Sequence, residues 1–157
     1  MKSPSKSTPE QLLELIIYID GASRGNPGPA GMGMIIYGPR RKKISQISQY
    51  LGNATNNVAE YEALIIALKE AQRLKARKVR IYTDSQLLAR QFLGEYRVKD
   101  EKLKTLFQQA RAEARKIDEL TVTYTEREKT READRLANQA INLGESGLES
   151  GLRKESD

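Results

Sequence analysis

The spacing of apolar positions changes along the chain, and each change marks an element. Residues 15–20, LIIYID, are apolar and β-branched throughout, which predicts a strand buried on both faces and central in a sheet. The glycine- and proline-rich GASRGNPGPAG breaks that run. Residues 31–38, GMGMIIYG, predict a second strand, and residues 43–51, KISQISQYL, a third whose looser alternation suits an exposed position. Their short links make these three strands antiparallel neighbours. Over residues 58–75 the period lengthens: Tyr61, Leu64, Ile65, Leu68, Ala71 and Leu74 recur at helical spacing opposite a charged face. Asn57 followed three residues later by Glu60 predicts the start of that helix, with Glu60 in its first turn.

Val79 and Ile81 then alternate with Arg80 and Tyr82 in a fourth strand that stops at Asp84, and SQLLARQF predicts a short helix closed by Gly94. A further amphipathic helix over residues 100–117 carries Leu103, Leu106, Phe107, Ala110, Ala114 and Ile117 on one side. Leu120, Val122 and Tyr124 alternate with threonines in a fifth strand. After the charged loop EREKTR, a last helix holds Asp134 in its first turns, buries Leu136, Ala137, Ala140 and Ile141, and ends near Gly144. The right-handed crossover rule lets the fourth and fifth strands join the first. The predicted fold class is therefore α/β, a five-stranded mixed sheet of three antiparallel strands followed by parallel ones, flanked by helices. Residues 1–12 and 145–157 are polar, the latter with ESGL twice, and are expected to be a flexible N-terminal tail and a disordered C-terminal tail around a domain of residues 13–144.

Composition narrows the chemistry. With 157 residues the chain suits one domain. It contains neither histidine nor cysteine, which excludes disulfides, Ser-His-Asp and Cys-His nucleophiles, and zinc held by nitrogen or sulfur. No apolar run approaches the roughly 18 residues of a membrane span, so no membrane partner is expected, and the absence of cysteine agrees with a cytoplasmic location. Lys and Arg outnumber Asp and Glu by 27 to 21, a formal charge of +6 that favours a polyanionic partner.

Against that basic background four carboxylates stand out: Asp20, Glu60, Asp84 and Asp134, each at the predicted end of a strand or beginning of a helix. Taken singly, each has a structural explanation. Asp20 could cap a turn, Glu60 could close a capping box with Asn57, and Asp134 could favour a helix N-terminus. Together they occupy element ends that the proposed topology brings to one place, where parallel central strands commonly present ligand sites. Clustered carboxylates repel unless a cation neutralises them, and hard divalent ions take oxygen ligands alone. Two such ions, roughly 3.5–4 Å apart, are suited to in-line displacement at a phosphodiester.

Four segments in order, YIDGASRGNPGPAG at residues 18–31, TNNVAEYEALIIAL at 55–68, YTDSQ at 82–86 and READRLAN at 131–138, resemble a type 1 ribonuclease H across about residues 14–143. The resemblance implies an endonuclease that cuts the RNA strand of an RNA–DNA hybrid with Mg²⁺ or Mn²⁺, leaving 5′-phosphate and 3′-hydroxyl ends, and a monomer is expected. It leaves double-stranded RNA open as a second substrate. By motif position the metal-binding carboxylates fall on Asp20, Glu60, Asp84 and Asp134. Asp20 would bridge two ions, Glu60 and Asp84 hold the one on the leaving-group side, and Asp134 the one on the side of the attacking water. Asn26, Asn57 and Gln86 would meet the sugar edges or bases of the hybrid, Thr55 would help grip a DNA phosphate, and Ser85 and Gly21 would add backbone contacts.

The chain departs from the family in two places. Many members carry a histidine in the loop before the last catalytic aspartate; here Glu128 or Lys129 occupies that loop, with Thr130 where many relatives have asparagine. Glu128 is a candidate proton acceptor. Some relatives also insert a basic protrusion between the second and third helices. FLGEYRVKDEKL leaves little room for one, and binding would rest on scattered charge such as Arg24, Arg97, Lys99 and Lys102. Two other classes are set against this reading. One is a catalytically silent hybrid- or double-stranded-RNA-binding module of the same fold, the other a sugar-kinase or actin-like ATPase, which needs a second such domain.

Overall fold

The first strand, β1 (Glu14–Ser23), takes the centre of a five-stranded sheet in the computed structural model, which describes residues 13–147. To one side lie β2 (Gly28–Tyr37) and the edge strand β3 (Lys43–Ala54), each antiparallel to its neighbour. To the other lie β4 (Lys78–Thr83) and β5 (Glu119–Tyr124), both parallel. This is the predicted mixed sheet in the order β3-β2-β1-β4-β5. The looser alternation of the third strand corresponds to its edge position.

Four α-helices are present among the described residues: α1 (Asn56–Arg73), α2 (Gln86–Phe92), α3 (Glu101–Ala114) and α4 (Arg131–Ser146). One face of the sheet, with Leu15, Ile17, Ile19, Val79 and Ile81, packs with Leu64, Leu68 and Ala71 of α1 into the main core, and α3 packs on α1. α4 covers the opposite face over β2, β3 and part of β1. Because α4 does not extend over β4, the predicted double burial of β1 is corrected: Ile16 and Tyr18 are half-buried, and Tyr18 stacks on Tyr82 with ring centroids 5.2 Å apart.

Two boundaries also move. Thr55, not Asn57, caps α1, its hydroxyl accepting from the Val58 amide at 3.1 Å, so Asn57 lies within the first helical turn and the predicted capping box is absent. At the other end α4 continues past Gly144 to Ser146 and stops at Gly147, whose φ of 81° suits glycine. Gly144 is instead a packing position, since a Cβ there would strike the ring of Tyr50. Residues 1–12 and 148–157, where most of the expected tails fall, lie outside the described residues.

Candidate metal centre

Asp20 is placed by the way the central strand meets its neighbours. The strand does not end at Asp20, as its glycine-rich sequel suggests, but continues through Gly21, Ala22 and Ser23, which pair with Met32, Gly31 and Ala30 of β2. Glycine backbone pairs like any other, and its missing side chain serves packing. A Cβ on Gly21 would lie 2.6 Å from the Glu60 amide nitrogen and strike the Ala59 carbonyl, so glycine here lets the first turns of α1 close on the strand and carry Glu60 to Asp20. On the other face Gly33, paired with Asp20, does the same for α4. A Cβ there would lie 2.7 Å from the Ala137 nitrogen and collide with the Ala133 carbonyl oxygen.

Parallel pairing of β1 with β4 ends at Ile19 and Thr83, so Asp20 and Asp84 are the next residues along two adjacent strands. Carboxylate oxygens of Asp20, Glu60 and Asp84 all lie within 4.8 Å of one another. Asp134 stands outside this triad but close enough for its charge to act on both Asp20 and Glu60. It is held in turn by Asn138, whose Nδ2 donates to Asp134 Oδ1 at 3.3 Å and to its carbonyl at 3.0 Å. Arg24 donates to Asn138 Oδ1 at 3.3 Å and pairs with Glu145 at 3.0 Å. The arginine named from sequence as a backbone-phosphate candidate is thus engaged with α4.

These carboxylates are costly in the absence of a cation. Asp20 and Glu60 are each 4% exposed. Burial, then the nearby Glu60, Asp134 and Asp84 carboxylates, push the Asp20 carboxyl up to about 10 from 3.8. Burial, then the Asp84 charge, push Glu60 up to about 8 from 4.5, against the opposing pull of the Gly21 amide and Arg127. Glu60 Oε1 is fully buried with no hydrogen-bond partner. A buried acceptor without a donor, in an all-oxygen set under mutual repulsion, fits a hard divalent cation.

The positions expected to meet substrate fall on two segments, the turn and helix start that carry Asn26, Thr55 and Asn57, and the start of α2. Asn26, in the β1–β2 turn, accepts from the Asn56 amide at 2.9 Å, which ties that turn to the start of α1 and sets Asn26, Thr55 and Asn57 together. Thr55 and Lys102 line one cleft of about 300 Å³. Ser85, next to Asp84, caps α2 by accepting from the Leu88 amide at 3.1 Å, and Gln86 beside it is exposed. Arg97 and Lys99 are exposed on the eight-residue link between α2 and α3, residues 93–100, in which no extra helix is inserted.

In the loop before α4 a short 3-10 turn spans Arg127–Thr130. Glu128 and Lys129, singled out from sequence, do not reach the carboxylates; with Tyr18, Tyr37 and Arg41 they line a separate cleft of about 240 Å³. Arg127 does reach them, its Nε 3.4 Å from Asp84 Oδ2. Nothing in EREKTR distinguishes Arg127 from its charged neighbours, and only the sense of the turn selects it.

Comparison with known proteins agrees with this geometry. The family model described as reverse transcriptase-like matches residues 18–140. The bifunctional protein Rv2228c of Mycobacterium tuberculosis is 38% identical over 131 residues, which is 83% of this chain but 36% of that protein. The chain therefore spans about a third of this relative's length. Among solved structures, RNase H1 of the halophilic archaeon Halobacterium salinarum has a TM-score of 0.80 at 36% identity, covering 82% of this chain and 98% of that one. LC11-RNase H1 in complex with an RNA/DNA hybrid has a TM-score of 0.79 at 40% identity, covering 83% and 98%. Matched over most of its length and at this level of identity, the chain belongs to the reverse transcriptase-like family, and within it to the ribonucleases H.

Proposed function

We propose that the protein is a metal-dependent endoribonuclease that hydrolyses the RNA strand of RNA–DNA hybrids by a two-metal-ion mechanism, leaving 5′-phosphate and 3′-hydroxyl ends. The observation that carries this reading is the convergence of three carboxylates within 4.8 Å, with the charge of Asp134 acting on two of them, in a chain with neither histidine nor cysteine. Asp20, Glu60 and Asp84 would hold one Mg²⁺ or Mn²⁺, and Asp20 with Asp134 the second. Bound there, the ions supply activation of the attacking water and stabilisation of the leaving oxygen. The chain's own contribution is to keep four ligands in place on rigid elements: Asp20 in the central strand, Glu60 on α1, Asp84 just beyond β4, and Asp134 on α4 under Asn138.

The surrounding polar groups support a hybrid as substrate. An A-like minor groove displays 2′-hydroxyls to short polar side chains and amides, the chemistry that Asn26, Asn57, Ser85 and Gln86 offer. The cleft of Thr55 and Lys102 is suited to a phosphate of the DNA strand. The protein in this reading acts as a monomer in the cytoplasm. Incubation with labelled hybrid, double-stranded RNA and double-stranded DNA, each with Mg²⁺, Mn²⁺ or chelator, tests it. Metal-dependent cutting of the hybrid's RNA strand is expected; hybrid left intact with both metals would refute it. Cutting of double-stranded RNA would widen the substrate class without altering the site.

A further inference from the structure

Four carboxylates gather here, yet among the described residues only one cation is ion-paired with any of them. That cation is Arg127. Its side chain is 85% exposed, while the Asp84 carboxylate it approaches at 3.4 Å is 7% exposed, so an arginine rooted in solvent reaches into the mouth of a buried acidic site. Its charge also acts on Glu60, against the effect of burial. The backbone beneath it is fixed: Thr130 Oγ1 donates to the Arg127 carbonyl at 3.0 Å, the Lys129 amide to the Glu126 carbonyl at 2.9 Å, and Thr130 is fully buried. The side chain is thus the adjustable part of a rigid turn.

We propose that Arg127 is the built-in counter-ion of this site, competing with a divalent cation for Asp84 in the free protein and, once displaced, presenting its guanidinium to a backbone phosphate of the bound nucleic acid. The inference deepens the functional reading above and rests on it. The contact to Asp84 is a single, long one made by a side chain that is itself mostly in solvent, and a divalent ion in direct contact with carboxylate oxygens outcompetes it. A guanidinium released at the mouth keeps its planar donor fork and full charge, both matched to a phosphate. The same side chain therefore lessens carboxylate repulsion before metal arrives and adds attraction for a polyanion afterwards. Neither Glu128 nor Lys129, which face the neighbouring cleft, is placed to do this.

The test is an NMR titration of Mg²⁺ into the whole chain without nucleic acid, for wild type, Arg127→Ala, Arg127→Lys and Asp20→Asn. Arg127→Ala is expected to bind Mg²⁺ about two- to fivefold more tightly than wild type, the scale of an exposed ionic contact, and Arg127→Lys to stay close to wild type. At saturating Mg²⁺, Arg127→Ala should raise KM for the hybrid more than it lowers kcat, and lower the salt dependence of binding by about one phosphate contact. Mg²⁺ binding that is lost in Asp20→Asn but unchanged in Arg127→Ala would overturn this inference alone. Failure of wild type to bind Mg²⁺ at all would overturn the metal site and this inference with it.

Discussion

The two faces of β1 are built on opposite principles. On one, Leu15, Ile17 and Ile19 are at most 1% exposed and pack against α1 in an apolar core, where each buried side chain is stabilised by what surrounds it. On the other, Asp20 is equally hidden but surrounded by carboxylates, with burial and like charge both acting against its ionised form. One residue along a strand separates the groups that hold the fold from one that the fold holds under strain. The first region is complete in the chain alone. The second carries like charge that nothing in its own carboxylate set offsets.

That contrast can be broken from either side. The largest effect is expected from Asp20→Asn or Asp84→Asn: hybrid cleavage should fall by roughly a hundred- to a thousandfold or more, as when a central electrostatic group is removed. The metal-free variants should melt no lower than wild type in a chelator, because repulsion is relieved. A clear drop in melting temperature would mean that these carboxylates stabilise the fold. Leu64→Ala should do the reverse, costing about 2–5 kcal/mol in denaturant unfolding while leaving the cleavage rate of the folded protein near wild type.

Gly33→Ala joins the two regions. A Cβ there meets the backbone of α4, so overpacking should cost about 1–3 kcal/mol, and displacement of Asp134 should lower activity as well. Loss of stability with unaltered cleavage would separate α4 from the site. The smallest effect is on pH dependence. With Asp20 raised to about 10 from 3.8 and Glu60 to about 8 from 4.5, the folded metal-free protein binds more protons than the unfolded chain across that window. Stability in a chelator should therefore be greatest below about pH 4, fall as pH rises, and level off above about pH 10. Mg²⁺ should flatten the slope. Denaturant midpoints at pH 5, 7 and 9 that rise with pH in a chelator would contradict the carboxylate electrostatics.

Much of the fold was legible because it rests on repeating local patterns. The five strands, the helix carrying Leu64 and Leu68, and the exposed third strand all follow from apolar spacing, since a sheet face and a helix stripe must each find cover. The four carboxylates were legible as candidates because acids at element ends recur in one register. Local signals misled where packing took over. The glycine after Asp20 is a close approach to α1 rather than a turn, Gly144 is a contact with Tyr50 rather than a stop, and Thr55 rather than Asn57 caps α1.

The amino-acid order by itself determined the elements, the strand sequence and the acidic residues available, because hydrophobic period and side-chain chemistry are local properties. Only the tertiary structure decided that Glu60 and Asp134 arrive from opposite faces at the place where β1 and β4 part, that Asn138 holds Asp134, and that Arg127 rather than Glu128 or Lys129 turns toward Asp84. Those relations depend on how closely two helices approach a sheet and which way a four-residue turn points. Such distances are set by contacts between residues far apart in the chain, which no local pattern records.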